Sequence, residues 1–184
     1  MLFGSDPEYF FPGAYVQYVR YVGTAQATDV EVEQRLSGDL IQVMRAIDQL
    51  AQAVAETRPL RQTDLSDRMV SSYPPAALHE LLTNAVIHRN YDGSTAPVAI
   101  NHFSDRIEIL NPGSLFGDLT AAQFPQGVSY RNPVLAEAAK VLGFANRFGR
   151  GIALAQDALA KNGSPSLEYV VGENHMLMTV RRRL

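Results

Sequence analysis

Cysteine is absent from this 184-residue chain. That excludes disulfides, thiolate metal sites and cysteine nucleophiles, and it fits a reducing cytoplasm, where the protein is expected to reside. No run approaches the ~20 continuous apolar residues of a membrane helix. The start is not that of a secretory leader either, since Asp6, Pro7 and Glu8 precede any apolar stretch. A surplus of positive charge is missing too. The formal net charge is −3 and the isoelectric point about 5.8, so the chain as a whole has no electrostatic footprint for nucleic acid. The one basic run, Arg181-Arg182-Arg183, is too short to define a binding surface and reads as a solvated tail. A Walker-type Gly-Lys-Ser/Thr loop is lacking, which removes the best-known phosphate cradle. His79, His102 and His175 show no metal-ligand spacing with carboxylates and read as surface residues.

What remains is an ordinary globular composition, 46% hydrophobic and 19% charged, long enough for one substantial core. Ala14 to Val22 and Val30 to Leu36 read as strands from their β-branched and aromatic content. Asp39 to Thr57 has apolar residues at helical spacing with Ser37 as N-cap, and Pro59 ends it. One or two short strands are expected between Leu60 and Val70. A helix opens at Pro74 or Pro75 and runs to about Arg89. Val98 to Phe103 and Arg106 to Leu110 pair around Ser104-Asp105. Asn111 to Tyr130 is a long Gly-, Pro- and Ser-rich segment, the kind that forms functional lids. Helices over 132–142 and 151–161 and a hairpin of 167–171 with 176–181 complete the chain. Intermixed helices and hairpins predict an α+β two-layer sandwich, with a mixed, largely antiparallel sheet and helices on one face.

The chemistry concentrates in Glu80-Leu-Leu-Thr-Asn84-Ala-Val-Ile-His88-Arg89. Residues four apart stack on one helix face, so Glu80, Asn84 and His88 form a polar row opposite Leu78, Leu81, Leu82 and Val86. A carboxamide oxygen can ligate a hard Mg²⁺ ion, and a carboxylate one turn away can orient or deprotonate a water beside a phosphate. His88 reads either as a phosphate-facing donor or as a cation at the helix C-terminus. Two glycine sites follow, Asn111-Pro112-Gly113 and Gly149-Arg150-Gly151. The first is also compatible with a plain turn, and the second with a flexible helix start.

Together with Asp105-Arg106-Ile-Glu-Ile-Leu-Asn111-Pro112-Gly113, Arg131-Asn132-Pro133 and Phe148-Gly149-Arg150-Gly151-Ile152, these motifs stand in a characteristic order over Tyr73 to Arg182. The chain resembles the ATP-binding module of the gyrase, chaperone, histidine-kinase and mismatch-repair superfamily (the GHKL or Bergerat fold). Within it, the divergent branch found in bacterial transcriptional regulators and RecG-related ATP-dependent DNA helicases is the nearest. The segment from Leu2-Phe3-Gly4 to Gly23-Thr24 is similar to the tail of a schlafen-like, Alba-type DNA-binding domain, most of which is expected to lie outside this chain. Residues 1–36 then form a strand-rich connector and 37–184 the ATP-binding domain.

The resemblance implies ATP and Mg²⁺ as cofactors, Glu80 as general base for the attacking water and Asn84 as metal ligand. It also implies nucleotide contacts from His88, Asn111, Gly113, Arg131, Gly149, Arg150 and Gly151. Asn111 stands where the superfamily usually has an adenine-reading aspartate. A carboxamide still accepts a hydrogen bond but lacks charge assistance, which leaves nucleotide affinity and adenine selectivity open. Two functions follow: a Mg²⁺-ATPase module of a DNA-associated regulator, or a non-catalytic regulatory or dimerisation module with a degenerate nucleotide site. Direct DNA binding is expected only through domains absent from this chain. Phe10, Phe11, Tyr15 and Tyr18 suggest that the front segment packs against a neighbour, such as a second subunit.

Overall fold

The computed structural model describes residues 4, 6–60, 68–127, 129–146 and 149–183, with side chains except at 57–60 and 68–69. Leu2, Phe3, Ser5, Phe148 and the middle of the expected 60–70 strand region lie outside the described residues. Thirteen elements follow in order. They are α1 (Pro7–Phe10), β1 (Val16–Tyr21), β2 (Val30–Leu36), α2 (Leu40–Ala53), β3 (Thr57–Leu60), β4 (Arg68–Ser71), α3 (Pro75–His88), β5 (Val98–His102), β6 (Arg106–Pro112), α4 (Pro133–Val141), α5 (Gly151–Asn162), β7 (Glu168–Val171) and β8 (His175–Arg181).

Six strands form one open sheet in the order β2-β1-β5-β6-β8-β7, and β3 and β4 make a separate antiparallel pair. Within the large sheet only β1 and β5 run parallel. A parallel neighbour needs a crossover, and α2, the β3-β4 pair and α3 supply it. The expected α+β architecture is therefore present. The two strands read as a front connector, β1 and β2, are members of this same sheet.

Strand alternation sets one face against the helices. Val16 and Tyr18 of β1, Val98 and Ile100 of β5, Ile107 and Ile109 of β6, and Met176, Met178 and Val180 of β8 are all buried there. Helix α3 lays Leu78, Leu81, Leu82 and Val86 onto that face. Full burial is worth roughly 1.5–3 kcal/mol per such side chain, an upper bound against a compact unfolded chain. Four of them fix the rotation of α3, and the polar row on its other flank is aimed as a consequence.

The cap of α2 differs from expectation. Asp39 is the N-cap, in a reciprocal capping box with Gln42, because Gly38 turns the chain at φ 113° one residue after Ser37. The helix also stops at Ala53, leaving Pro59 inside β3. Two surface assignments are overturned as well. His102 is buried and its Nδ1 meets the Tyr18 hydroxyl at 2.8 Å. Half-buried His79 spans two elements, with Nδ1 2.5 Å from Asp48 Oδ1 and Nε2 3.0 Å from the Phe144 carbonyl. The terminal arginines are not a free tail: Arg181 bridges to Glu168, Arg182 to Glu56, and Arg183 donates to the Asn162 carbonyl. Among the described residues no helix is long and apolar enough to cross a membrane.

Candidate functional site

One cavity of about 110 Å³ lies between α3, the sheet and the glycine-bearing loops. Its floor is the helix-facing row of β6 and β8, Ile109, Asn111, Met176 and Met178, where Asn111 pairs with Met176 and Ile109 with Met178. Glu80, Thr83, Asn84, Ile87 and His88 of α3 form one wall. Gly149, Gly151 and Ile152 at the start of α5 form another, and Ala136 and Lys140 of α4 a third. The segment after β6 closes over it with Leu115, Phe116, Leu119, Phe124 and Tyr130. A mostly apolar cleft with a few converging polar groups is the usual character of a small-molecule site.

The polar row of α3 is thus assembled with both glycine sites, from segments far apart in sequence. Asn84 Nδ2 donates to the Glu80 carbonyl at 2.8 Å, a bond that leaves the amide oxygen unused. The Glu80 carboxyl is raised above the ordinary carboxylate range by burial, an effect partly offset by the charge of neighbouring His79. His88 stacks on Tyr130 with ring centroids 5.5 Å apart. Burial first, and the Arg131 guanidinium second, lower its pKa to about 4, so it is neutral near pH 7.

Close approach or a positive φ marks each glycine. A Cβ on Gly151 would lie 2.5 Å from Asn84 Nδ2 and 2.9 Å from Glu80 Oε2, so α5 starts in direct contact with the Glu80–Asn84 pair. Gly113 has φ +109°, and a Cβ there would come within 2.9 Å of Asn90 Cβ. Gly149 adopts φ +63° and turns the chain into α5. Among the described residues no side chain caps the first turn of α5, and its Gly151 lines the cavity.

Two expected contacts fall elsewhere. Arg150 is exposed at the N-cap of α5 and does not line the cavity. Arg131 stands behind the first glycine site, where it donates to the Ser114 carbonyl at 3.0 Å and lies over the Phe116 ring. Its neighbour Asn132 is structural. The amide donates to the carbonyls of Ile87 and Arg89 and so closes the C-terminus of α3.

Sequence reasoning missed Lys140. Its side chain is only 18% exposed, its Nζ is 4.3 Å from the Tyr130 ring centre, and its one carboxylate neighbour among the described residues, Glu137, is 3.8 Å away and 70% exposed. An ammonium so weakly neutralised at a cavity wall suits an anionic ligand. The available signal was its spacing, four residues after buried Ala136 on the apolar flank of α4.

The donor set fits a hard cation bound mainly through its ligand. Among the described residues no three His, Asp or Glu side chains cluster. Magnesium commonly takes one or two protein oxygens and completes its shell with phosphate and water, and the Asn84 amide oxygen, one turn from Glu80 on the cavity wall, would meet that pattern.

Residues 95–180 match the family described as "Putative ATP-dependent DNA helicase recG C-terminal". The DIP2311 protein from Corynebacterium diphtheriae has a similar structure, with a TM-score of 0.79 at 17% identity over 91% of this chain. At that identity the likeness speaks for the fold, and the chain spans only 35% of that protein's length. No curated protein matches the sequence. Over 95–180 the chain fits a divergent ATPase-type domain of RecG-related proteins, as its ordered motifs suggested.

Proposed function

We propose that this chain is a Mg²⁺-ATP-binding and ATP-hydrolysing module of a bacterial DNA-associated regulator or RecG-related helicase-like protein. The observation that carries the reading is the convergence of Glu80, Asn84, Asn111, Gly113, Gly149 and Gly151 on one cavity. In this reading the base lies on the Ile109–Met178 floor with its edge at Asn111. The phosphates face the uncapped start of α5 and the Lys140 ammonium. Asn84 holds magnesium, which when bound offsets phosphate charge. The Glu80 carboxylate takes a proton from a water. The water oxygen bonds to the γ-phosphorus as the bond from that phosphorus to the β-bridging oxygen breaks, and ADP leaves with the electron pair. Burial favours this role, since a raised pKa makes the Glu80 carboxylate a stronger base.

Glu80→Gln tests the assignment. ATP binding by calorimetry should persist, while phosphate release should fall by about 10²–10⁴-fold. Unchanged turnover would remove Glu80 from the mechanism.

The second reading, a non-catalytic regulatory or dimerisation module, is favoured by one observation. Asn111, a neutral amide, stands where a charged acceptor would hold adenine more firmly. Absence of heat on titration with millimolar Mg²⁺-ATP would select it. DNA contact is assigned to other domains, and a salt-sensitive complex of this chain with bare duplex would contradict that.

A further inference from the structure

Asn111 carries an amide that the protein leaves unsatisfied. The residue is 8% exposed, and its Oδ1 is shut off from solvent with no hydrogen-bond partner among the described residues. Around it the cavity floor is apolar, formed by Ile109, Met176 and Met178. A buried acceptor without a partner costs about 1–3 kcal/mol, and Asn111 lines the cavity.

A carboxamide has two ends of opposite sense, an acceptor oxygen and a donor nitrogen, exchanged by a half-turn about the Cβ–Cγ bond. Among the described residues no hydrogen bond reaches Asn111 Oδ1. A carboxylate in this place would present acceptors only. The six-membered-ring edge of adenine offers an amino donor beside a ring-nitrogen acceptor. Guanine offers a carbonyl acceptor beside a ring N–H donor. One orientation of the amide makes two bonds to adenine, and the flipped orientation makes two to guanine.

We infer that Asn111 reads purine edges of either polarity, so that the cavity takes adenine and guanine nucleotides with comparable affinity. The inference rests on the nucleotide reading above and adds base selectivity to it.

The test is calorimetric titration of the whole chain with Mg²⁺-ATP and, separately, Mg²⁺-GTP. The wild-type dissociation constants should agree within about threefold, less than the worth of one neutral hydrogen bond. In Asn111→Asp, two fixed acceptors meet one donor and one acceptor on the adenine edge but can take both the ring N–H and the 2-amino group of guanine, so the two dissociation constants should separate by about tenfold or more. Asn111→Leu should weaken both nucleotides alike. A wild-type preference above about thirtyfold for either nucleotide overturns the inference while leaving nucleotide binding intact. If neither nucleotide binds the wild type, the nucleotide reading falls and the inference with it. Should the aspartate variant not fold, the wild-type ratio decides alone.

Discussion

Two groups of polar side chains meet near α3, and they are treated in opposite ways. At its C-terminal end Arg89 and Asn132 are satisfied by the protein. Arg89 is 1% exposed, yet its guanidinium donates to the carbonyls of Asn90, Ser94 and Ala96 and lies over the Tyr91 ring. Asn132 holds two further carbonyls. Around the cavity the reverse applies: among the described residues Asn111 Oδ1 has no partner, and no hydrogen bond offsets the desolvation that raises Glu80. Both groups sit within the same ordered motifs. The difference separates motif residues that hold the fold from those whose partner is a ligand.

Arg89 gives the largest expected effect. Arg89→Met keeps the aliphatic stem but strips three carbonyls of their donor, so unfolding free energy should fall by about 3–5 kcal/mol. A shift in the denaturant midpoint worth less than about 1 kcal/mol would break the comparison at its strong end.

Acid titration comes next. His102, against Tyr18 and Tyr73, is held by burial at a pKa of about 4, with Arg20 and Arg182 lowering it further and Glu56 opposing. Its folded pKa lies below the unfolded one, so the unfolded chain binds the extra proton first. Its contribution is complete above about pH 6.5, declines as the pH falls to about 4 and is then gone. The loss is roughly 3 kcal/mol, and His88 shifts in the same direction. Urea midpoints between pH 7 and 4.5 should fall, and less steeply in His102→Gln. An unchanged slope in that variant would show that His102 is not the group responsible.

Asn132→Ala should cost about 1–2 kcal/mol, because two carbonyls at the end of α3 lose their donor. Amide exchange should quicken at the end of α3 before it does in the sheet. Uniform exchange would argue against a local clamp.

The same contrast explains what was legible in the sequence. The period of Leu78, Leu81, Leu82 and Val86 encodes the rotation of α3 and hence the aim of Glu80, Asn84 and His88. Gly113 and Gly151 were legible because backbone conformation and close approach leave a mark on residue type. The Asp39–Gln42 capping box was also written in the sequence, two residues beyond the serine taken as cap. Tyr18 with His102, and Arg182 with Glu56, were not legible, since each joins residues far apart along the chain. Nothing in local spacing distinguishes a saturated arginine such as Arg89 from an exposed one such as Arg150. That distinction arises only when the carbonyls of 90–96 fold around the guanidinium.

The smallest expected change in stability is the most discriminating. Replacing Asn111 with leucine removes an unpaired buried oxygen and breaks no protein hydrogen bond at that atom. The relief is about 1–3 kcal/mol, and overpacking of an already apolar floor opposes it by a similar amount. The melting temperature should therefore stay within a few degrees of wild type or rise, while nucleotide affinity falls. A group kept for a ligand behaves this way, because the folded state gains nothing from it. If Asn111→Leu instead lost more than about 2 kcal/mol, Asn111 would belong with Arg89 among the residues that hold the fold, and the cavity would lose its one reader of a base edge.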